Sequence, residues 1–424
     1  MKQLLLCILF PATLLSQGYT SYFTGNPTNV TTPTEFGICM MGGATEHDNA
    51  MAWLLQKAGG GDVVVLRSSG SNGYNNYLYS ELGVAVNSVE TLVITSVAGA
   101  TNPYVLDKVA HAEMIWFAGG DQYNYVSYFK DNALEDLINA HVNVKNAPIG
   151  GTSAGMAILG HHYFSAQNGS VTSAEALADP YNPYMTLGSN DFVQLPRLQN
   201  VITDSHYDDP DRRARHTTFI GRLKHDGFGD TYGIAANEYV AVCIDDSGRA
   251  HVYGDYPNYQ EFAYFIQPNC TIESTPETCV AGSAFTWNQN GSAVKAYKVP
   301  GTMDGTHYFD LNDWRAGAGS GGSWQDWSVN NGVFTATAGA APDCLLSAET
   351  FAQDPIAVYP NPFGDFIRID GYANAVRLYD AMGKLVLERT DVNGVLDTSA
   401  LVKGLYFLRY DAQGSIHTQK MLKN

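Results

Sequence analysis

The hydrophobic positions of residues 36–160 form short continuous runs, separated by segments with helical spacing. Val63–Leu66 and Met114–Ala118 are apolar throughout, whereas apolar residues between such runs recur every three or four positions, as at Ala50, Trp53 and Leu54. Strands without polar alternation are buried on both faces, which is typical of a parallel sheet covered by amphipathic helices. The pattern predicts an α/β fold with a doubly wound, mostly parallel sheet. In such a sheet, ligands bind at the carboxyl ends of the strands.

The C-terminal part of the chain has a different pattern. From residue 354 onward, short segments alternate apolar and polar positions, as in Phe366–Ile369 and Leu405–Tyr410, and turn residues separate them. This pattern predicts a small all-β sandwich domain at residues 354–424. Residues 315–353 are rich in Gly, Ser and Ala and are expected to form a linker after a main domain at residues 36–314.

The N-terminus predicts export. A basic start at Met1-Lys2-Gln3 precedes the apolar run Leu4–Phe10, which is too short to span a membrane. We therefore interpret residues 1–17 as a signal peptide. Residues 18–35 are rich in Tyr, Thr, Asn and Pro and are expected to be an extended lead-in.

The net charge argues against two classes of binding partner, and the cysteine positions predict one disulfide. The formal net charge of −18 argues against nucleic acid and anionic membranes as partners. Cys270 and Cys279 bracket a polar loop, so a disulfide between them is expected in an oxidising compartment. Cys39 and Cys243 lie in apolar strand-like runs and are interpreted as buried small hydrophobic residues.

The segment Gly151-Thr152-Ser153-Ala154-Gly155 fits the nucleophile-elbow pattern, in which a tight strand-to-helix turn exposes a serine hydroxyl. The amide of Ala154 would then serve as one oxyanion donor. The Gly119-Gly120 turn follows a neighbouring strand and can supply a second amide. The alternative is a glycine-rich packing turn with an incidental serine.

Two later segments supply a base and an acid. His206 follows the apolar Val201-Ile202 and lies among acidic residues, whose negative charge can stabilise the imidazolium that forms when the histidine takes a serine proton. Glu238 precedes another apolar strand and can orient a histidine, as the acid of a triad does. His161, His162 and His206 lack a standard zinc spacing, so we expect no metal and no cofactor.

Arg212 and Arg215 lie on a predicted helix after His206 and are unusual in so acidic a chain. Guanidinium groups bind carboxylates through two parallel hydrogen bonds, so these residues are candidates to bind an acidic substrate. The alternative is that they are solvated arginines on a helix surface.

Taken together, residues 36–312 resemble the cyanophycinase/dipeptidase E family of serine exopeptidases, which have a class I glutamine-amidotransferase-like fold. Five segments in the family's order carry the resemblance, namely Met41–Ala44, Phe117–Gln122, Gly151–Gly155, Asp204–Tyr207 and Gly233–Glu238. The resemblance implies that Ser153 is the nucleophile, His206 the base and Glu238 its partner. It also implies an oxyanion hole from the amides of Gly120, Asp121 and Ala154, with Gln122, Asp204, Arg212 and Arg215 facing the substrate.

The resemblance implies a peptide substrate, either cyanophycin with its β-Asp-Arg units or related acidic peptides. Pro210 stands where the family has the first of three arginines, so specificity for cyanophycin itself is open. Two alternatives remain, a catalytically inactive secreted binding protein and an α/β-hydrolase-type esterase. The order Ser, His, Glu argues against the esterase, whose order is Ser, acid, His.

The C-terminal region resembles the type A sorting domain of the type IX secretion system of Bacteroidetes-type bacteria. The residues that carry this are Tyr359–Phe363, Leu378–Lys384, Gly404–Tyr406 and Lys420–Lys423. The resemblance implies recognition by the secretion machinery, followed by release or attachment at the cell surface. A homodimer of the mature protein is left open.

Overall fold

The computed structural model of the protein describes residues 17–271, 275–314, 317–342, 344, 357–381, 383–390, 392–412 and 415–424. The chain divides into two compact units, the first ending at Cys344 and the second beginning at residue 345. Apart from its last residue, the predicted signal peptide lies outside the described residues. Among the described residues, no helix has the length and apolar character needed to cross a membrane.

The first unit alternates strands and helices over its N-terminal half. Its strands are β1 (Tyr19–Gly25), β2 (Ile38–Met41), β3 (Asp62–Arg67), β4 (Ser88–Ile94), β5 (Met114–Phe117), β6 (Ile149–Thr152), β7 (His162–Phe164), β8 (Leu187–Ser189), β9 (Val201–Asp204), β10 (Tyr232–Ala236), β11 (Ala241–Ile244), β12 (Arg249–Tyr253), β13 (Phe262–Pro268), β14 (Val294–Pro300), β15 (Tyr308–Asp310), β16 (Gly319–Ser320), β17 (Ser323–Asn330) and β18 (Val333–Ala338). Its α-helices are α1 (Asp48–Gln56), α2 (Gly73–Asn76), α3 (Val97–Ala100), α4 (Pro103–His111), α5 (Gln122–Phe129), α6 (Ala133–Asn143), α7 (Ala154–Ala157), α8 (Ser173–Ala178) and α9 (Arg213–Leu223).

A ten-stranded sheet in the order β1-β4-β3-β5-β6-β2-β11-β12-β15-β16 forms the larger half of this unit. Its centre, β4-β3-β5-β6-β2, is parallel, and the strands on both sides of that centre are antiparallel. Alternate residues of β2 enter different cores, since Met40 belongs to one hydrophobic cluster and Met41 to another. Both faces of the sheet are therefore covered, and the predicted α/β class is confirmed.

The single sheet that we expected is in fact two sheets. An eight-stranded mixed sheet, in the order β18-β17-β14-β13-β10-β9-β7-β8, contains the strands that precede His206 and Glu238. A continuous apolar run shows that a strand is buried but not which sheet it joins, so the pattern could not separate the two. The lead-in also differs from our expectation, because Tyr19–Gly25 pairs antiparallel with β4 as an edge strand.

The interpretation of residues 315–353 as a linker is wrong for its first part. β17 pairs with β14, and β18 pairs with β17, so this segment extends the second sheet. Trp327 is fully buried in the core under that sheet. The many small residues lower the average hydrophobicity of the segment. The few large side chains that hold it in place therefore do not stand out in the sequence.

The predicted disulfide between Cys270 and Cys279 is also wrong. Cys270 is bonded to Cys344, with a Cα–Cα distance of 5.3 Å, while Cys279 is a free, buried thiol. Cys270 follows β13, and β14 joins β13 to the β17–β18 hairpin, so the chain after β18 returns to Cys270. Cys279 instead belongs to the hydrophobic core of the second sheet.

The second unit is all-β, as predicted. It contains β19 (Ala357–Tyr359), β20 (Phe366–Asp380), β21 (Leu385–Arg389), β22 (Val392–Asp397), β23 (Gly404–Ala412) and β24 (Ser415–Lys423). The first part of the long strand β20 pairs with β19 and β22, and its later part pairs with β21 and β23. Ile367, Leu378 and Leu408 are fully buried in a core of this unit's own.

Candidate active site

Three side chains from two sheets meet in one hydrogen-bonded chain. Ser153 lies between β6 and α7, His206 follows β9, and Glu238 follows β10. The distance from Ser153 Oγ to His206 Nε2 is 2.8 Å, and that from His206 Nδ1 to Glu238 Oε1 is 2.5 Å. With the hydroxyl donating to Nε2, the Nδ1–H of the imidazole donates to the carboxylate. This is the arrangement in which a histidine can take a proton from a serine.

The elbow conformation presents the serine. Ser153 has φ 54° and ψ −113°, a backbone conformation that L-residues rarely adopt. The flanking glycines permit the close packing around it, because a Cβ on Gly155 would lie 2.3 Å from the Phe117 carbonyl oxygen. Strain of this kind is concentrated at functional sites, where the surrounding structure holds it in place.

The turn Met41-Gly42-Gly43, at the carboxyl end of β2, connects the backbones of the three segments. The Met41 carbonyl accepts the Ser153 amide at 3.1 Å, and the Gly42 carbonyl accepts the His206 amide at 2.6 Å. The Gly43 carbonyl accepts the amide of Tyr239, the residue after Glu238, at 3.1 Å. One turn therefore sets the relative positions of nucleophile, base and acid.

The absence of a side chain at Gly43 makes room for the imidazole. A Cβ at this position would lie 2.4 Å from His206 Cε1 and 2.5 Å from His206 Nε2, and φ is +119°. We included Gly43 in a motif but assigned it no role from the sequence. The available signal was a glycine pair directly after a buried strand.

Of the three expected oxyanion donors, Gly120 and Ala154 line the cleft that contains Ser153. Gly120 has φ +149°, and Ala154 is the first residue of α7. The Asp121 side chain caps α5, where its Oδ1 accepts the Tyr123 amide at 2.9 Å. Asp121 is not among the residues that line the cleft.

The cleft beside Ser153 has a volume of about 220 Å³. Gln122, Asp204, Arg212 and Arg215 all line it, so the structure brings the expected substrate-facing residues together. The Gln122 side-chain amide donates to the Phe164 carbonyl at 3.4 Å. Phe164 and Ser170 also contribute to the lining, and no sequence pattern indicated a role for either residue.

Asp204 and Arg215 bind each other at the lining of the cleft. Arg215 Nε and Nη2 donate to the two carboxylate oxygens of Asp204 at 2.9 and 2.6 Å, and both side chains are at most 4% exposed. Arg215 Nη1 donates to Ser170 Oγ and to the Val171 carbonyl. Burial raises the pKa of Asp204, but the Arg215 guanidinium outweighs this effect and lowers that pKa overall. Asp204 and Arg215 thus form a buried ion pair at the cleft, and their expected substrate contacts stay a prediction.

Arg212 has weaker contacts with Asp204 than Arg215 has. Its Nη1 donates to the Ser205 carbonyl at 3.0 Å and lies 3.9 Å from Asp204 Oδ1. Its buried Nε has no hydrogen-bond partner among the described residues. Burial, followed by the charge of Arg215, lowers the pKa of Arg212. An arginine that is partly desolvated and under-bonded can gain from an anionic ligand, because charge-assisted hydrogen bonds are the stronger kind.

Two regions of the chain match known protein families. Residues 73–251 match peptidase family S51. The matched region contains Ser153, His206 and Glu238. Residues 357–424 match the secretion system C-terminal sorting domain, which indicates type IX secretion and a secreted or cell-surface location.

Two proteins to which this chain is similar are cyanophycinases. That of Geminocystis herdmanii is 32% identical over 101 residues, which cover 24% of this chain and 33% of that protein. That of Synechococcus elongatus is 23% identical over 225 residues, which cover 51% of this chain and 65% of that protein. This chain thus spans less than two thirds of the length of these relatives. The crystal structure of a peptidase from an acI-B1 Actinobacterium has a TM-score of 0.40 and 15% identity, covering 55% of this chain and 94% of that one.

Proposed function

We propose that the protein is an exported serine peptidase that cleaves peptide or isopeptide bonds next to aspartyl residues, as a cyanophycinase does. The observation that carries the proposal is the hydrogen-bonded chain Ser153–His206–Glu238 at the wall of a cleft. The match to peptidase family S51 and the cyanophycinase relatives support the same reaction class.

In this mechanism, His206 Nε2 takes the hydroxyl proton as Ser153 Oγ attacks the carbonyl carbon. Glu238 accepts the Nδ1–H bond and stabilises the imidazolium that forms. The amides of Gly120, Asp121 and Ala154 are the proposed donors to the oxyanion. His206 then returns the proton to the leaving amine, and water releases the acyl group from Ser153 by the same steps in reverse order.

Substrate choice is assigned to Arg212. Arg212 lines the Ser153 cleft, where its guanidinium can donate to a carboxylate of an acidic substrate. A charge-assisted bond of this kind contributes about 1.5–3 kcal/mol. Loss of that bond corresponds to a roughly 10- to 150-fold lower kcat/KM, at about 1.4 kcal/mol per tenfold.

The nucleophile is tested with cyanophycin and a panel of β-aspartyl dipeptides. We expect Ser153→Ala and His206→Ala each to lower kcat by about 10⁴-fold or more, and the double variant to be little worse, because the residues act as a unit. Activity should survive chelators. Full activity of Ser153→Ala would exclude the serine mechanism, and loss in EDTA with recovery on zinc addition would favour a metal site.

The specificity assignment has a matched control in the next residue. Arg213 is held by Asp211, with Nη2–Oδ2 at 2.6 Å, and is not part of the Ser153 cleft lining. Arg212→Gln should lower kcat/KM for acidic dipeptides but change hydrolysis of a neutral ester little, whereas Arg213→Gln should change neither. Equal losses on both substrates would remove Arg212 from the binding role, and esterase activity without peptidase activity would favour the esterase alternative.

A further inference from the structure

Two of the three free cysteines in the described part of the chain face each other inside the first sheet. Cys39 lies in β2 and Cys243 in β11, and the antiparallel register places them directly opposite each other. Their sulfur atoms are 3.4 Å apart, and both residues are fully buried. From the sequence we interpreted them as separate small hydrophobic residues, because nothing in the chain indicates that positions 204 residues apart are neighbours.

The register suits a covalent bond. Directly opposed residues of antiparallel strands have Cα atoms about 4.5–5.5 Å apart, which lies within the ~4.4–6.8 Å that disulfides span. The pairs on either side, Ile38 with Ile244 and Met40 with Val242, fix this alignment. Side-chain rotation can therefore bring the sulfur atoms to a bonding distance of about 2.05 Å without any change of strand pairing.

The compartment to which the protein is exported permits the oxidation of thiols. The sorting domain at residues 357–424 indicates export, and extracytoplasmic compartments of bacteria permit disulfides. We propose that Cys39 and Cys243 form an intrachain disulfide in the exported protein. A thiolate of the pair attacks the disulfide of a thiol oxidant and forms a mixed disulfide, and the second thiolate then displaces the oxidant. The two cysteines lose two protons and two electrons, and the disulfide of the oxidant is reduced to two thiols.

This reaction takes place before β2 and β11 are covered. In the folded chain neither thiol is exposed, and burial raises the pKa of Cys243 well above its usual range, so little of the reactive thiolate is present. The same burial protects the bond from reductants once it has formed.

The disulfide would link two strands that lie next to the backbone turn of the candidate active site. β2 runs directly into Met41-Gly42-Gly43, and β11 begins two residues after Tyr239, whose amide the Gly43 carbonyl accepts. A link between Cys39 and Cys243 joins the two strands that hold this turn. It would therefore stabilise the turn without contacting a substrate.

The test maps thiols in the wild-type protein recovered after export. Free thiols are alkylated in denaturant with iodoacetamide, the protein is then reduced, and newly released thiols are labelled with N-ethylmaleimide before peptide mass spectrometry. We expect the maleimide on Cys39 and Cys243, a crosslinked peptide containing both in a non-reduced digest, and iodoacetamide on Cys279. Cys279 is the matched control, since it is also buried and free but lies in the core of the second sheet.

Iodoacetamide on Cys39 and Cys243 in the exported protein would overturn the proposal. A Cys39→Ala variant gives a second measurement, because it should leave Cys243 as a new free thiol and raise the thiol count of the denatured, non-reduced protein by one. A count that falls by one, which is the result if Cys39 and Cys243 are both free thiols in the wild type, would equally overturn the proposal. Neither measurement depends on peptidase activity.

Discussion

A single methyl group added at Gly43 should inactivate the enzyme. The Cβ of Gly43→Ala would lie 2.4 Å from His206 Cε1, whereas ordinary van der Waals contact begins at 3.4 Å. The imidazole must therefore retreat by about 1 Å, the difference between these two distances. We expect a movement of this size to disrupt the 2.8 Å hydrogen bond between His206 Nε2 and Ser153 Oγ.

The magnitude follows from the geometry of proton transfer. A displacement of ~1 Å at a catalytic group costs on the order of 10²-fold in rate, or about 2.7 kcal/mol of transition-state stabilisation. Complete loss of the base costs about 10⁴-fold or more. We therefore expect kcat of Gly43→Ala to fall by ~10²- to 10⁴-fold, with a smaller change in KM.

The matched control separates this clash from backbone strain. Alanine at a left-handed position costs about 1–2 kcal/mol whatever surrounds it. Gly227 has φ +94° with nothing within 4 Å of an added Cβ, so Gly227→Ala carries the strain without the clash. Both variants should lose a few degrees in Tm, but only Gly43→Ala should lose kcat, measured on the best substrate found. Wild-type kcat in folded Gly43→Ala, or an equal loss in Gly227→Ala, would refute the reasoning.

Three further outcomes are expected. Tyr125→Phe removes the buried hydroxyl that donates to the Ala118 carbonyl at 2.7 Å, beside the Gly119-Gly120 turn. We expect kcat to fall about tenfold in steady-state kinetics while KM stays unchanged. An unchanged kcat would contradict this role of the hydroxyl. A chain that ends at Cys344 should melt and hydrolyse substrate like the longer protein, whereas one that ends before β17 should unfold at lower temperature in calorimetry. Burial lowers the pKa of His141 and His216 to about 4, so between pH 6.5 and 4 the unfolded chain binds protons that the folded chain does not. Urea unfolding should therefore show full stability above pH 6.5 and a loss of roughly 2 kcal/mol per histidine by pH 5, and a flat profile would contradict their burial as neutral groups.

Much of the fold followed from hydrophobic pattern because parallel strands and their covering helices leave strong local signals. Val63–Leu66 and Met114–Ala118 are apolar for the same reason that β3 and β5 are central, since neither face of these strands meets water. The β17–β18 hairpin gave no comparable signal. Its place depends on pairing with β14 and on the burial of Trp327, which are long-range contacts, and its small residues are equally typical of a linker.

In the same way, some residues of the candidate site could be predicted from local sequence patterns, whereas the roles of others depend on long-range contacts. Ser153 could be predicted because its strained turn requires a local pattern of glycines, His206 because it follows an apolar strand, and Glu238 because it precedes one. The sequence does not distinguish Arg212 from Arg215, since they lie three positions apart on one predicted helix. The buried carboxylate of Asp204 distinguishes them, because it occupies the guanidinium of Arg215 at 2.6 Å and lies 3.9 Å from that of Arg212. Which arginine forms the close ion pair with Asp204 is thus decided by contacts between β9 and the start of α9, and no spacing along the chain indicates those contacts.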